Sequence, residues 1–473
     1  MSEIFDLIVI GAGPGGYVAA IRAAQLGMSV AVVEKRATLG GVCLNEGCIP
    51  SKALLDSSEL FVQIRDKSAG HGIVAGVPQV DLARMIERKN EVVRKLADGI
   101  ASLFKKNKIT TITGVATLAA PRSDGLHSVT VQAADSDAPA AEVVGRRVLL
   151  ATGSTAAEIP GLPFDGSSIV SAREALEFTE VPGHLLVVGA GYIGLELGSV
   201  WRRLGAEVTV VETLAKPMPA SDGQVAEALV RSLKKQGFSF RMETRVTGVV
   251  KKYDRLNVAL DGPTGRENLV CDKILVAAGR HPLVAGIGLE AAGVTVGSDG
   301  RVVVDKDYAT GIPGIYAVGD LIAGPMLAHK ASEEGIVCVE RMAGQASIVE
   351  YEYIPGIAYT WPEVASVGKT EEQLKSAGVE YDVGRFHFSG NGRARCMDET
   401  EGFVKLLARR RSGRLLGVHI IGPRASDMIA EAVTAMTFGA SAQDLAMTFH
   451  AHPTLAETMK EAALDVKKLA IHA

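Results

Sequence analysis

One pattern occurs twice in this 473-residue chain and restricts its fold more than any other feature. The apolar run Asp6–Ile10 ends in Gly11-Ala12-Gly13-Pro14-Gly15-Gly16. A helical pattern from Pro14 to Leu26 follows, Gly27 ends it, and a second apolar run, Val30–Val33, closes on Glu34. The same parts recur as His184–Val188, Gly189-Ala190-Gly191-Tyr192-Ile193-Gly194, a helix to Leu204, Gly205, Val208–Val211 and Glu212. In each copy the helix-ending glycine stands 16 positions beyond the first glycine (11 to 27, 189 to 205). The acid stands 23 positions beyond it (11 to 34, 189 to 212).

Strand, glycine turn, helix, strand and acid make a dinucleotide-binding unit. Gly11, Gly13 and Gly16 let the backbone approach a pyrophosphate, the helix N-terminus stabilises its charge, and Glu34 accepts from ribose hydroxyls. Gly189, Gly191, Gly194 and Glu212 repeat that set. One copy alone is a weak signal. Two copies with matching offsets argue for a duplication and two nucleotide sites, rather than one site and a decayed scaffold. Each copy also ends in an apolar run and a small-residue turn, Ala151-Thr152-Gly153-Ser154 and Ala277-Ala278-Gly279-Arg280. The fold class expected is α/β, with two Rossmann-like domains built on parallel-sheet cores.

Apolar residues at 47% and charged residues at 22% are ordinary for a globular protein. A net charge of −4 gives no nucleic-acid surface, and no apolar stretch is long enough for a membrane span. The chain opens Met1-Ser2-Glu3-Ile4-Phe5-Asp6 and enters a strand at once, so no leader and a cytoplasmic, reducing location are expected. Helices are expected at Leu54–Asp66 and Asp81–Lys105, and meander strands at Ile109–Leu118, Ser128–Gln132 and Val143–Leu150, with an exposed loop over Ala133–Ala141. Phe238–Leu260 reads as strand-rich. Ile315–Asp320 is a strand ending in Gly-Asp, and Pro325–His329 opens a helix reaching Met342. From about Tyr351 the pattern is α+β. The expected domains are 1–150, 151–280, a return to the first domain over 281–350, and a C-terminal α+β domain over 351–473.

The five cysteines are Cys43, Cys48, Cys271, Cys338 and Cys396. Five helical residues rise about 7.5 Å, too far for a disulfide between Cα atoms. A bond between Cys43 and Cys48 therefore needs a distorted turn, which Asn45 and Gly47 permit, with Pro50 fitting a helix start. In a reducing compartment such a pair is redox-active or metal-binding. The bland alternative is two reduced cysteines packed as small apolar groups.

With that pair placed after the first nucleotide unit, the chain resembles the pyridine nucleotide–disulfide oxidoreductases. The resemblance runs through Gly40–Lys52, Ala151–Ser154, Gly189–Gly198, Gly205–Glu212, Ala317–Asp320, Thr360–Thr370 and His450–Glu457. It is greatest to the members that oxidise dihydrolipoamide. The resemblance implies tightly but non-covalently bound FAD on the first unit, NAD on the second, and a homodimer formed by the last domain. It implies a Cys43–Cys48 redox disulfide, with Cys48 next to the flavin and Cys43 exchanging with substrate. Lys52 and Glu196 are the implied ion pair at the flavin's reactive edge, and Asp320 the ligand of its ribityl chain. Ala116, Thr152, Gly153, Ser154, Met326, Leu327, Ala328 and His329 are further implied FAD residues. Tyr192, Val246 and Gly279 line the implied NAD site.

His452 is the expected acid–base, since histidine ionises nearest the pH at which a thiol must lose its proton. Glu457, five residues on, would orient it from a helix starting near Thr454, and in the family the histidine reaches the other subunit's disulfide. His450 is read evenly as structural or flavin-side. Implied partners are dihydrolipoamide on lipoyl domains or H-protein and a multienzyme-complex core, with no metal and no nucleic acid. Glu212, followed by Thr213-Leu214-Ala215, favours NAD over NADP by charge. Glutathione and mercuric reductases share the cysteine motif, but this chain lacks a C-terminal vicinal cysteine pair. A scaffold-only subunit would have a degraded site, whereas Cys43, Cys48, Lys52, His452 and Glu457 are all present. Three residues depart from the family pattern: Glu46 where many relatives carry Val, Trp361 at a variable position, and Ala116 in place of a frequent Gly. Glu46 is expected to set a charge near the disulfide and shift its potential.

Overall fold

A computed structural model describes residues 3–133 and 140–472. The loop expected over Ala133–Ala141 falls largely outside that range. The chain divides into two compact units, residues 1–53, 83–157 and 279–349, and residues 54–82, 158–278 and 350–473.

The first unit is built on a five-stranded sheet in the order Ile315–Ala317, Val148–Leu150, Leu7–Ile10, Val30–Glu34, Thr110–Thr113. Every pairing in it is parallel. Leu7–Ile10 and Val30–Glu34 are buried along their whole length. A strand covered on both faces loses the alternating pattern and reads as a continuous apolar run. Helices Pro14–Gln25 and Ala328–Met342 lie close enough that a Cβ on Gly335 would stand 2.5 Å from the Gly15 carbonyl oxygen. A second sheet carries Ile4–Phe5, Ala141–Gly145, His127–Gln132 and Val115–Leu118.

Two strand expectations differ from the structure. Val143–Leu150 is two strands in different sheets, since Ala141–Gly145 pairs with His127–Gln132 and Val148–Leu150 with Leu7–Ile10. Both halves are apolar, so periodicity alone reads them as one. Ile109–Leu118 likewise breaks at Gly114, whose φ is +155° and whose Cβ would lie 2.6 Å from the Gln132 carbonyl oxygen.

The second unit repeats the plan with Ile169–Val170, Lys273–Val276, His184–Val188, Glu207–Val211 and Phe238–Arg241, again all parallel. A three-stranded antiparallel sheet, Arg245–Lys252, Arg255–Gly262 and Gly265–Cys271, accompanies it. The C-terminal part is an antiparallel sheet ordered Gly356–Ala358, Glu363–Gly368, Leu415–Gly422, Phe403–Arg409, Tyr381–His387. Its helices include Ala425–Thr437, Ala442–Met447 and Glu457–Asp465.

Along the chain the units alternate at 53/54, 82/83, 157/158, 278/279 and 349/350. The strand Ser154–Ala156 pairs with Arg280–Pro282, which draws both into the first unit. Residues 54–82 group with the second unit, where buried Arg203 donates to the Leu55 carbonyl at 3.3 Å. The fully buried Lys405 ammonium meets both Asp222 oxygens, at 3.0 and 2.9 Å, and Glu371 at 2.5 Å. It joins the helix Gly223–Lys235, which Asp222 caps, to the C-terminal sheet. No helix among the described residues is long and apolar enough to cross a membrane.

Candidate active site

The first glycine turn is closed by sterics. Gly11 has φ +100°, and a Cβ there would lie 2.4 Å from the Ala151 carbonyl oxygen; one on Gly16 would lie 1.9 Å from the Gly11 oxygen. Pro14 starts the following helix and no side chain caps it, so its first N–H groups are available to an anion. Buried Glu34 accepts from Ala12 N at 2.8 Å and Arg36 N at 3.0 Å. The second turn reproduces this: Gly189 has φ +105° and Cβ positions on Gly189 and Gly194 would lie 2.6 and 2.2 Å from carbonyl oxygens. Glu212 accepts from Ala190 N at 2.8 Å and Leu214 N at 2.9 Å. Around a Cβ on Gly191 there is open space, which suits a diphosphate approaching the backbone.

The cysteines lie in the long connection between Val30–Glu34 and Thr110–Thr113. Cys43 sits in the short helix Gly41–Glu46, and Cys48 begins the helix Cys48–Val62 after a break at Gly47. Asn45 braces the first of these, its Nδ2 donating to the Gly41 and Leu39 carbonyls at 2.8 and 3.1 Å. Gly41 packs on the glycine turn, with room for no side chain: its Cβ would stand 2.5 Å from Gly13 Cα. Cys43 and Cys48 are free cysteines here, and Cys43 hydrogen-bonds to Cys48. That bond, then burial and the charge of the Cys48 sulfur, push the Cys43 thiol up, while the Lys52 cation opposes the rise.

Asp320 stands in the one-turn segment Gly319–Leu321 and accepts from the Ser154 hydroxyl. Arg280 holds Ser154 in turn, through Nε to Oγ at 2.8 Å and NH2 to the carbonyl at 2.7 Å. Burial lowers the Arg280 pKa, against the charges of Asp320, Cys48 and Glu46. Buried Lys330 and Glu334, 3.0 Å apart, clamp Gly319 from both sides, Lys330 Nζ donating to its carbonyl at 3.1 Å and Glu334 accepting its N–H at 2.8 Å. Met326 and Leu327 precede the helix that Ala328 and His329 open. Thr152 donates to the Leu283 carbonyl at 2.8 Å, and Gly153 has φ +75°. Ala116 is buried in the apolar core, so its side chain serves packing.

In the second unit, His452 Nδ1 meets Glu457 Oε1 at 2.9 Å, and the imidazole is 78% exposed. The regular helix spans Glu457–Asp465, and Glu457 Oε2 reaches back to accept Thr454 N at 2.9 Å. Burial raises the Glu457 pKa, but the hydrogen bonds from Thr454 and His452 outweigh it and the net shift is downward. His450 is a different case: its side chain is 4% exposed, bonded to Glu431 at 2.7 Å and the Thr448 carbonyl at 3.0 Å. It is structural. Glu196 is buried and accepts from Tyr359 N at 2.9 Å. Tyr192 opens the helix after the second turn; burial raises its pKa, against a hydrogen bond with Ser221. Val246 starts the bulged edge of Arg245–Lys252, and Gly279 falls in the first unit, accepting from Ala157 N at 3.1 Å.

The family description "Pyridine nucleotide-disulphide oxidoreductase" matches residues 5–335, and its dimerisation domain matches residues 354–463. The chain belongs to the pyridine nucleotide-disulphide oxidoreductases. It is 49% identical over 472 residues to dihydrolipoyl dehydrogenase 3 of Pseudomonas aeruginosa, covering 98% of each chain. It is 46% identical to the mitochondrial dihydrolipoyl dehydrogenase 2 of Arabidopsis thaliana, covering 100% of this chain and 92% of that one. A crystal structure of LpdA from Mycobacterium tuberculosis aligns with a TM-score of 0.89 at 27% identity, over 97% of this chain and 98% of that one.

Membership in this oxidoreductase family brings FAD and NAD(H) as cofactors, and the two turns fit them, each a cradle that a Cβ would fill beside an acid poised for ribose. Arg280, Lys330 and Glu334 escaped the sequence reading although they fix Asp320. Arg280 follows the Gly279 turn directly, and that adjacency was the available signal. Lys330 and Glu334 are an i,i+4 pair in an apparently ordinary helix, which announces nothing.

Proposed function

We propose that the chain is a dihydrolipoyl dehydrogenase, oxidising dihydrolipoamide on lipoyl domains or H-protein to lipoamide with NAD⁺. The observation that carries this reading is the dithiol packed against the dinucleotide turn, Cys43 hydrogen-bonded to Cys48 on helices anchored at Gly13. The similarity to dihydrolipoyl dehydrogenases supports the substrate.

In the oxidised protein the two sulfurs form a disulfide. A dihydrolipoamide thiolate attacks Cys43 Sγ, the Cys43–Cys48 bond breaks, and Cys48 leaves as a thiolate. The second substrate thiol gives its proton to His452 Nε2 and displaces Cys43, forming lipoamide and leaving the dithiol. Glu457 holds the opposite imidazole nitrogen as donor and stabilises the imidazolium. Lys52 favours the thiolate form by charge. FAD held along the first turn would supply a two-electron acceptor for the dithiol, and NAD⁺ held at the second turn the final hydride acceptor. Gly11, Gly13, Gly16 and Glu34 hold one dinucleotide, with Thr152–Ser154, Asp320 and Met326–His329 along its length. Gly189, Gly191, Gly194 and Glu212 hold the other, with Tyr192, Glu196, Val246 and Gly279 about the nicotinamide path.

Residues 351–473 form a homodimer in this reading, in which one copy's His452 serves the other copy's disulfide. Phe438, Met447 and Phe449, 85%, 73% and 100% exposed, support that apolar contact. The protein works in the cytoplasm, on the core of a 2-oxoacid dehydrogenase or glycine-cleavage complex. The test gives purified yellow protein dihydrolipoamide or reduced glutathione with NAD⁺ or NADP⁺. Fast turnover is expected only with dihydrolipoamide and NAD⁺; faster oxidation of glutathione overturns the assignment, and a monomer by light scattering overturns the dimer.

A further inference from the structure

Glu46 is the last residue of the helix Gly41–Glu46, three positions after Cys43. Residues three apart on a helix share a face, so its carboxylate lies on the side of that thiol. A carboxylate in such a place disfavours a thiolate. Arg36 meets it with two parallel bonds, NH1 to Oε1 at 2.5 Å and NH2 to Oε2 at 2.9 Å. The two side chains are only 24% and 17% exposed, and bidentate pairing of this kind fixes geometry as well as charge. Arg36 is also tied to the dinucleotide turn, since its main-chain N–H bonds Glu34, which bonds Ala12 N. A continuous line of hydrogen bonds thus runs from the glycine turn through Glu34 and Arg36 to Glu46 and the cysteine helix. The second glycine turn has Leu214 in the corresponding place, two residues after its acid.

We propose that Arg36 is a positioning residue for the dithiol: by occupying both oxygens of Glu46 it cancels the charge set beside Cys43 and fastens the cysteine helix to the strand end bearing Glu34. The proposal rests on Cys43 and Cys48 being the reactive dithiol. Other charged or titratable groups facing the pair are Tyr17 from the helix Pro14–Gln25, Lys52 from Cys48–Val62 and Arg280 from Arg280–Pro282. Arg36 differs from them in taking both Glu46 oxygens at once. The Glu46 charge expected to perturb the disulfide is therefore held neutral by a partner.

The test measures alkylation of Cys43 by iodoacetamide against pH in holoenzyme kept reduced with dithiothreitol, read by peptide mass spectrometry. R36M exposes the Glu46 charge and should move the Cys43 midpoint up by about one pH unit. E46Q leaves the Arg36 cation unpaired and should move it down. The double variant R36M/E46Q removes both charges and should return the midpoint to that of the unaltered protein. Coincident profiles for all four proteins, or two single variants shifting the same way, overturn the proposal. Should R36M lose its flavin, E46Q alone decides, since a Cys43 midpoint that stays or rises in E46Q overturns the proposal. Alkylation needs no dihydrolipoamide turnover, so a failure here is distinct from failure of the proposed activity, which Cys43→Ser turnover reads directly.

Discussion

The two glycine turns agree within a few degrees and tenths of an ångström, yet the chain that leaves them differs completely. Both first glycines sit near φ +100°, and both acids accept the N–H of the alanine inside the turn at 2.8 Å. Four strands of each parallel sheet share their order, while the edge strand beyond them follows the others in sequence in one sheet (Ile315–Ala317) and precedes them in the other (Ile169–Val170). After Glu34, however, the chain runs to Thr110 before rejoining the sheet, through the cysteine helices and the helix Leu82–Lys106. After Val211 it needs only the helix Gly223–Lys235 to reach Phe238. The turn cannot vary at its first and last glycines, because a Cβ at Gly11, Gly16, Gly189 or Gly194 would strike a carbonyl oxygen. The connection is not bound by that constraint and holds the sulfur chemistry. A duplicated module thus kept its nucleotide cradle twice and acquired a redox centre once.

The comparison breaks most severely if the first connection loses its sulfur. Cys48→Ser should lower dihydrolipoamide oxidation by at least about a thousandfold, since no disulfide forms and the nucleophilic step is lost. Reduction of a dye by NADH, which needs the two cradles but not the dithiol, should persist. Parallel loss of both activities would mean that Cys48 supports the fold of the cradle. Next in size, His452→Gln should slow dihydrolipoamide oxidation by about 10²–10⁴-fold, the usual worth of a positioned acid–base. Dye reduction should again survive, and its loss would assign His452 to holding the dimer or flavin.

Equivalent glycines sharpen the comparison further. Gly16→Ala and Gly194→Ala each force a methyl against the carbonyl of the turn's own first glycine, at 1.9 and 2.2 Å. Purified Gly16→Ala protein should be largely colourless, having lost FAD. Gly194→Ala should stay yellow and raise the KM for NAD⁺ at least about tenfold, or 1.4 kcal/mol. If both variants lose flavin, the two turns are not separate cradles.

Such equivalences were legible because each part leaves a local trace: a continuous apolar run, a glycine at a fixed offset, an acid at the strand end. The helix Pro14–Gln25 lies within a residue of its expected bounds for the same reason. What escaped depends on partners distant in sequence. Nothing near Lys405 signals Asp222 and Glu371, and nothing near Glu46 signals Arg36. The grouping of 54–82 with the second unit rests on Arg203, and the break within Val143–Leu150 on which sheet each half joins. Glu457 is a local case as well, its carboxylate bonding Thr454 N at the position where the helix is expected to begin.

The last and smallest effect lies in the residues just beyond each acid. In the first copy Arg36 stands two residues after Glu34; in the second, Leu214 stands two after Glu212. Glu212 Oε1 accepts Leu214 N at 2.9 Å and the Thr213 hydroxyl at 3.2 Å, so the carboxylate is held at the strand end. A 2′-phosphate arriving there meets like charge. Arg241, on the adjoining strand, offers no relief because Glu267 binds it at 2.7 Å. Like-charge juxtaposition costs a few kcal/mol, so kcat/KM should favour NAD⁺ over NADP⁺ by roughly a hundredfold or more. Glu212→Ala removes the repulsion and Leu214→Arg adds the cation that the first copy carries, so the double variant should bring the ratio within about tenfold. Equal use of both cofactors by the unaltered protein would sink the argument. So would a double variant with an unchanged ratio, because the acid would then be reading something other than the ribose.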